Sequence, residues 1–363
     1  MTATNALPER PQRRVRGRVS FTTVISWMLR ITIVVTLLAS AVSSVLKDRY
    51  SIDQWFDLVA FGITIGSVYA LIALGYTMVY GVLRLINFAH GEIVMAGSFA
   101  GFFVAASLDS TGALNRYPIL GFAAMLAIAL LVSGGIAVLT ERFAYRPFRH
   151  APRLAPLICA IGVSFLLQQS FRGFFGTGLR SYPDPDWLMP PVSIFGFDVP
   201  AVQVLVVSSA IVVMVGLYLI VHKTRMGTAM RAVSEDVDVA TLMGINVDRV
   251  VTFTFALGGA VGGIAGVFYG LVFKQVHFFM GFTPGIKAFG AAVLGGIGNV
   301  PGAMIGGIFL GICESVAPAL LLDGFGIPAP HQMRDLVAFS LLIAVLIFRP
   351  YGIFGERLAR RRG

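Results

Sequence analysis

Charge is scarce in this sequence. Asp, Glu, Lys and Arg make up 13% of its 363 residues, about half the share of an ordinary soluble domain, so the solvated surface such a domain needs is missing. Cysteine is nearly absent too. The two present, Cys159 and Cys313, lie inside apolar runs, which argues against a disulfide framework and for small buried hydrophobes. Enzyme signatures are lacking: there is no G-x-x-x-x-G-K-[ST], no G-x-S-x-G and no H-E-x-x-H. No phosphate cradle, serine nucleophile elbow or zinc-binding helix is therefore expected, and any nucleotide chemistry belongs to another chain. The apolar run at 31–46 is not followed by a small-residue cleavage site and a soluble domain, so a cleaved leader is not expected.

What the sequence has instead is long apolar runs. Residues 58–83, 117–140, 199–221 and 250–273 contain no charged side chain. At ~1.5 Å per residue each can cross a hydrocarbon core ~30 Å thick. A backbone in lipid must satisfy its own hydrogen bonds, and uninterrupted runs without period-2 alternation select helices over barrels. The expected fold is all-α: a polytopic helical membrane protein with about nine to ten spans. They fall near 24–46, 57–82, 88–108, 118–140, 154–172, 200–221, 250–273, a glycine-rich stretch 287–322, and 333–348. Arg30 interrupts the first and can snorkel to the near interface.

The net charge of +10 would suggest nucleic acid in a soluble chain. Here the basic residues sit in loops and tails, so orientation in the bilayer is the reading and no nucleic-acid partner is expected. Placing the tail with Arg10, Arg13, Arg14, Arg16 and Arg18 in the cytoplasm puts other basic groups on the same side. These are Arg84, the cluster Arg142, Arg146, Arg149 and Arg153, the cluster Lys223, Arg225, Arg231 and Arg249, and the tail Arg349, Arg357, Arg360, Arg361 and Arg362. The positive-inside rule favours that orientation, most of the excess coming from the two tails. Both termini are then cytoplasmic, and 287–322 must begin and end outside. Asn299-Val300-Pro301-Gly302 breaks this stretch. The expectation is a descending half-helix, a turn deep in the protein and a returning helix, as in broken helices that mark transport paths. A plain hairpin with a short tilted span is the competing reading.

Glycines recur at helical spacing. Gly258, Gly262, Gly266 and Gly270 form a ladder, Gly259/Gly263 a parallel row, and Gly62/Gly66, Gly97/Gly101, Gly302/Gly306 and Gly307/Gly311 repeat the step. Such ridges let helix backbones approach closely. They predict tight packing, including against a partner subunit, and no chemistry.

The stretch 222–249 is too polar to span. Residues 224–233 suit a short helix, and Ser234 can cap a second, with Glu235 and Asp236 near its positive end. Gly244 supplies a stop. Val233, Val237, Ala240 and Met243 would form an apolar ridge shaped for a groove of a soluble partner; a solvated connector against lipid headgroups is the blander alternative. Ionisable groups within spans are few: His90 and Glu92 at the start of the third, and Glu314 in the returning helix. Their cost in lipid makes them functional candidates. An Arg84–Glu92 pair and an interhelical hydrogen bond from His90 are the structural alternatives, and two ligand types without Cys or Asp support do not make a metal site.

Three separated segments carry a family resemblance. YGVLRLINFAHGEIVMAGSFAG, from Tyr80 to Gly101, resembles a hallmark of the first permease of branched-chain amino acid ABC importers. GFTPGIKAFGAAVLGGIGNVPGAMIGGIFLG, ending at Gly311, resembles the second hallmark. Between them MRAVSEDVDVATLMGIN is similar to the cytoplasmic coupling loop. ABC permeases carry Glu-Ala-Ala-x-x-x-Gly there; Asp238, Val239, Ala240 and Gly244 hold those positions, so two of the four differ, an acid and small apolar groups remaining.

The resemblance covers roughly residues 52–355 and implies an ABC permease transmembrane domain 51–355 with its coupling loop at 222–249. Outside the family's minimum pattern the residues themselves give a basic cytoplasmic tail 1–20, an extra transmembrane helix 21–50 that reads as an anchor, and a basic cytoplasmic tail 356–363. The resemblance implies partners: a second permease subunit, two ABC ATPase subunits, an extracytoplasmic solute-binding protein and the lipid bilayer of a bacterial or archaeal-type cytoplasmic (inner) membrane. It implies no cofactor on this chain, ATP and Mg being held by the ATPases, and no catalytic residue. Lever residues for the ATPase stroke would be Arg231, Glu235, Asp238, Ala240 and Gly244; Asn87, His90, Glu92 and Glu314 would line the path. Cargo would be branched-chain or related amino acids, although small and apolar walls would equally suit urea or short amides. A Na⁺- or H⁺-coupled secondary transporter, working without ATP, and a non-transporting assembly factor are the other classes.

Overall fold

The computed structural model describes residues 35, 39–44, 50–148, 151–152, 154–194, 196–323, 326–327, 330–348 and 352–353. The expected tails 1–20 and 356–363 and most of the expected span 24–46 lie outside them. Among the described residues eight helices are long and apolar enough to cross a membrane, and the all-α polytopic class holds. The long helices are α1 (Ile52–Leu83), α2 (His90–Ser110), α3 (Pro118–Thr140), α4 (Leu154–Phe175), α5 (Ala201–Lys223), α8 (Val247–Phe273), α10 (Val300–Ala317) and α11 (Arg334–Phe348). A π turn, Glu141–Tyr145, prolongs α3, and another, Pro318–Leu322, prolongs α10. Short helices α6 (Arg225–Glu235) and α7 (Val237–Leu242) link α5 to α8, and the half-length α9 (Phe282–Gly295) precedes α10.

α1 is the central post. It starts on a capping box, Ser51 Oγ accepting from Gln54 N–H and Gln54 Oε1 from Ser51 N–H, which satisfies two donors the first turn leaves open. It is apolar all round, and α5, α8, α9 and α10 surround it, burying 64–79 almost without a gap. Glycine permits this. Gly62 and Gly66 of α1 meet Gly307 and Gly311 of α10 with backbone against backbone.

The α8 ladder works the same way within the chain. Gly258 lies against Gly75, Gly262 against His90, Gly266 against Val94, and Gly270 against Ser98 and Tyr182; Gly259 and Gly263 face Ala137 and Ser133 of α3. The row expected to reach a partner subunit is thus consumed by α1, α2 and α3 of the same bundle. A Cβ at Gly266 would overlap the Val94 carbonyl, and backbone cannot step aside cheaply. Gly266→Leu is therefore expected to cost about 3 kcal/mol and to lower the monodisperse yield and unfolding midpoint in mild detergent. Gly162→Leu, with nothing within 4 Å of the added Cβ, should leave both unchanged.

The broken segment forms as a half-helix and a return. α9 has 14 residues, about 21 Å of rise, short of a ~30 Å core. Gly296 (φ 98°) and Gly298 (φ 96°) turn the chain, and Asn299 then caps α10 by accepting from Gly302 N–H at 3.0 Å, with Pro301 tolerated in the first turn. Two details differ from the sequence reading. α9 begins at Phe282 rather than 287, because Pro284 falls in its first turn where no helical N–H is needed, so Lys287 is inside the helix rather than flanking it. The turn is also covered by the end of the chain's described part: Ile353 N–H donates to Leu294 O at 2.8 Å, and Gly352 sits against Gly296. At the end of α5 opposite the α6–α7 elbow, hairpin β2 (Pro191–Ile194) and β3 (Phe197–Pro200) and the short pair β1 (Arg180–Ser181) with β4 (Gln275–Val276) close the bundle.

Candidate coupling elbow and buried polar groups

The elbow is held by backbone caps. Thr224 Oγ1 accepts from Gly227 N–H at 3.1 Å to start α6, and Gly227 packs on the Val221 carbonyl where no side chain would fit. Arg231 donates to that same carbonyl, and Arg84, in a left-handed conformation at the end of α1 (φ 53°), donates to Ser234 O at 3.2 Å. The elbow is therefore bolted to the ends of α1 and α5. Asp236, not Ser234, caps α7: its Oδ1 accepts from the N–H groups of Asp238 (2.9 Å) and Val239 (3.0 Å). Ser234 is still helical within α6, and its hydroxyl donates to Arg231 O. Gly244 (φ 82°) ends α7, with Gly244 N–H on Thr241 O and Ile245 N–H on Ala240 O, the paired closure of a Schellman motif.

The expected single ridge is split by the turn at Asp236. Val233 and Ala240 are buried against the bundle, whereas Val237 and Met243 are 45% and 78% exposed, beside exposed Val239 and 86% exposed Leu242. Of the lever candidates Arg231, Glu235, Asp238 and Gly244 face out and Ala240 faces in. α7 thus shows an apolar tip that nothing in this chain covers. Val239 and Leu242 join this apolar tip although neither belongs to the ridge expected from the sequence, because six residues are too few to show a helical period.

The path candidates separate into different roles. Asn87 Oδ1 accepts from Ala89 N–H (3.1 Å) and Tyr145 Oη (2.8 Å), locking the start of α2 to the π turn after α3. His90 is buried between Gly75, Gly262 and the Tyr76 ring, 4.8 Å away. Glu92 points toward α4: its Oε1 accepts from Gln168 Nε2 (3.0 Å) and Ser164 Oγ (3.4 Å), while Oε2 is buried without a partner. The Arg84–Glu92 pair does not form, because Arg84 is turned to the elbow. Among the described residues no cluster could hold a metal ion.

Glu314 belongs to a second cluster. Lys287 of α9 contacts Glu314 of α10 and Asp335 of α11, each at 2.6 Å. Tyr69 of α1 donates to Glu314 at 3.3 Å. The side chains of Lys287, Glu314 and Asp335 are 5%, 8% and 59% exposed. Tyr69 and Tyr76 are two turns apart on α1, so about 10 Å separates this clasp from His90 along the axis. Lys287 and Asp335 escaped the sequence reading because both stood at assumed span boundaries, where a charge looks like a flank.

A helical bundle with a broken span, internal charges held by protein partners and a capped elbow between two spans is the make-up of a membrane permease subunit. The family model described as branched-chain amino acid transport system / permease component matches residues 58–346, and the chain belongs to that family. It is similar to the high-affinity branched-chain amino acid transport system permease protein LivH of Salmonella typhimurium, 40% identical over 310 residues that cover 85% of this chain and 96% of the relative. It is also similar to the corresponding protein BraD of Pseudomonas aeruginosa, 42% identical over 301 residues, 81% of this chain and 94% of the relative. A probable LivH of Methanocaldococcus jannaschii is 29% identical over 299 residues, 78% of this chain and 88% of the relative. The chain is accordingly a transport subunit and not an enzyme.

Proposed function

We propose that this chain carries branched-chain amino acids across a cytoplasmic membrane as one permease of an ATP-driven importer, with a second permease, two ATPases holding ATP and Mg, and an extracytoplasmic binding protein. The observation that carries the reading is the family match running through both hallmark segments and the elbow between them. The uncovered tip of α7 supports ATPase docking, since a capped helix with exposed Val237, Val239, Leu242 and Met243 suits a groove of a soluble partner. In this reading both termini and the elbow face the cytoplasm, and Arg231, Glu235, Asp238, Ala240 and Gly244 transmit the stroke. His90 and Glu92 border the path, Asn87 holds the start of α2 that carries them, and Glu314 serves through the clasp. Residues 51–355 act as one transmembrane domain.

The test is reconstitution of the copurified complex in liposomes loaded with ATP and Mg. Uptake of labelled leucine, isoleucine and valine that requires ATP and binding protein is expected, with urea and acetamide left behind. Uptake by this chain alone without ATP, or transport of urea in preference to leucine, would overturn it.

A further inference from the structure

The helical residues 39–44 lie ahead of the stretch that the family model matches. Ser40 and Ser44, four apart and on one face, are both buried. Ser44 Oγ donates to Ala319 O at 2.8 Å and Ser40 Oγ to Leu321 O at 2.5 Å. Both acceptors lie in the π turn that prolongs α10. The last carbonyls of a helix have no donor further along it, and in lipid such groups are costly when left open. Further on, Tyr50 Oη stands 3.5 Å from His331 Nε2, with the two rings edge to face. His331 lies just ahead of Asp335. Ser40, Ser44 and Tyr50 therefore touch both ends of the connection between α10 and α11, the two helices whose carboxylates Lys287 binds.

We propose that Ser40, Ser44 and Tyr50 are positioning residues for transport. They brace the α10–α11 connection, hold Glu314 and Asp335 on Lys287, and make α9, α10 and α11 move as one body when the elbow is driven. An anchor would need only apolar surface toward lipid. Two buried hydroxyls aimed at the carbonyls of one turn do a different job. The inference rests on the ATP-driven reading above, and its test is separable from it.

The readout is amino acid taken up per ATP hydrolysed by the complete reconstituted importer. The double variant Ser40→Ala/Ser44→Ala is expected to lower this ratio at least about fivefold, the equivalent of one net hydrogen bond. Ser40→Thr/Ser44→Thr, which keeps both hydroxyls, should restore it. In an Asp335→Asn background, which opens one arm of the clasp, the alanine pair should add a smaller loss, because the brace acts through the clasp. A wild-type ratio in the alanine pair, or an equal loss in both backgrounds, would overturn the proposal. Where the alanine pair does not assemble, Tyr50→Phe is measured the same way, and an unchanged ratio refutes the brace. Should the wild-type importer move no amino acid on ATP, the transport reading falls instead. The brace is then decided by the same cycle on the unfolding midpoint of the complex, non-additivity supporting it and additivity refuting it.

Discussion

Lys287→Met should be the most damaging single substitution in the bundle, with folded yield falling steeply and stability dropping by about 3–5 kcal/mol. The lysine is 5% exposed and carries two carboxylates. Without it Glu314 keeps only the Tyr69 hydroxyl, and a charge that cannot reach water has lost its counter-ion. Asp335, 59% exposed, can be solvated, so the damage is expected to come through Glu314. That reasoning makes a second expectation. Lys287→Met/Glu314→Leu removes both members of the buried pair and should recover most of the lost stability, since apolar replacement of such a pair is often near neutral. Thermal unfolding in detergent with yield by size exclusion reads both; a single variant as stable as wild type, or a double variant no better than the single, would refute the clasp as a structural pair.

Leu242→Asp/Met243→Asp should abolish uptake, about 100-fold or more, while the chain still folds and inserts. The two side chains are 86% and 78% exposed, so no core contact is lost. What they offer is apolar surface at the tip of a helix fixed by the Asp236 cap and the Gly244 closure. Two carboxylates there must be desolvated on docking, which costs several kcal/mol. Ala240→Asp tests the opposite face: Ala240 is buried against the bundle, so that change should unfold the elbow rather than merely undock a partner. Copurification of the ATPases and uptake are measured together. Normal ATPase recovery with the double aspartate variant would place docking elsewhere.

The elbow was legible in part. Its polarity, the two short helices and the Gly244 stop follow from residues within a few positions of one another. Its cap was misplaced from Asp236 to Ser234, because both are good capping residues and only the point where the backbone leaves α6 chooses between them. The apolar ridge was misread for a related reason. Val237 and Met243 share a pattern with Val233 and Ala240 only if the helix is continuous, and the break at Asp236 rotates them outward. At the buried polar groups, His90, Glu92 and Glu314 stood out as ionisable residues in apolar surroundings, but their partners did not. Gln168, Ser164, Lys287, Asp335 and Tyr69 come from other helices, at separations in sequence that carry no periodic signal.

The amino-acid sequence alone determined the solvent, the helical class, the approximate spans and the interruption near Asn299. Each of these depends on local quantities: the length of an uncharged run, the rise per residue, and glycine or proline at a helix end. Only the tertiary structure decided that the glycine ladder of α8 serves this chain's own helices, that Arg84 holds the elbow rather than Glu92, and that Lys287 ties α9, α10 and α11 together. Those are choices of partner. They are made when helices distant in the chain come within contact range, where the cost of an unpaired charge or an open carbonyl in an apolar bundle selects one arrangement over its rivals.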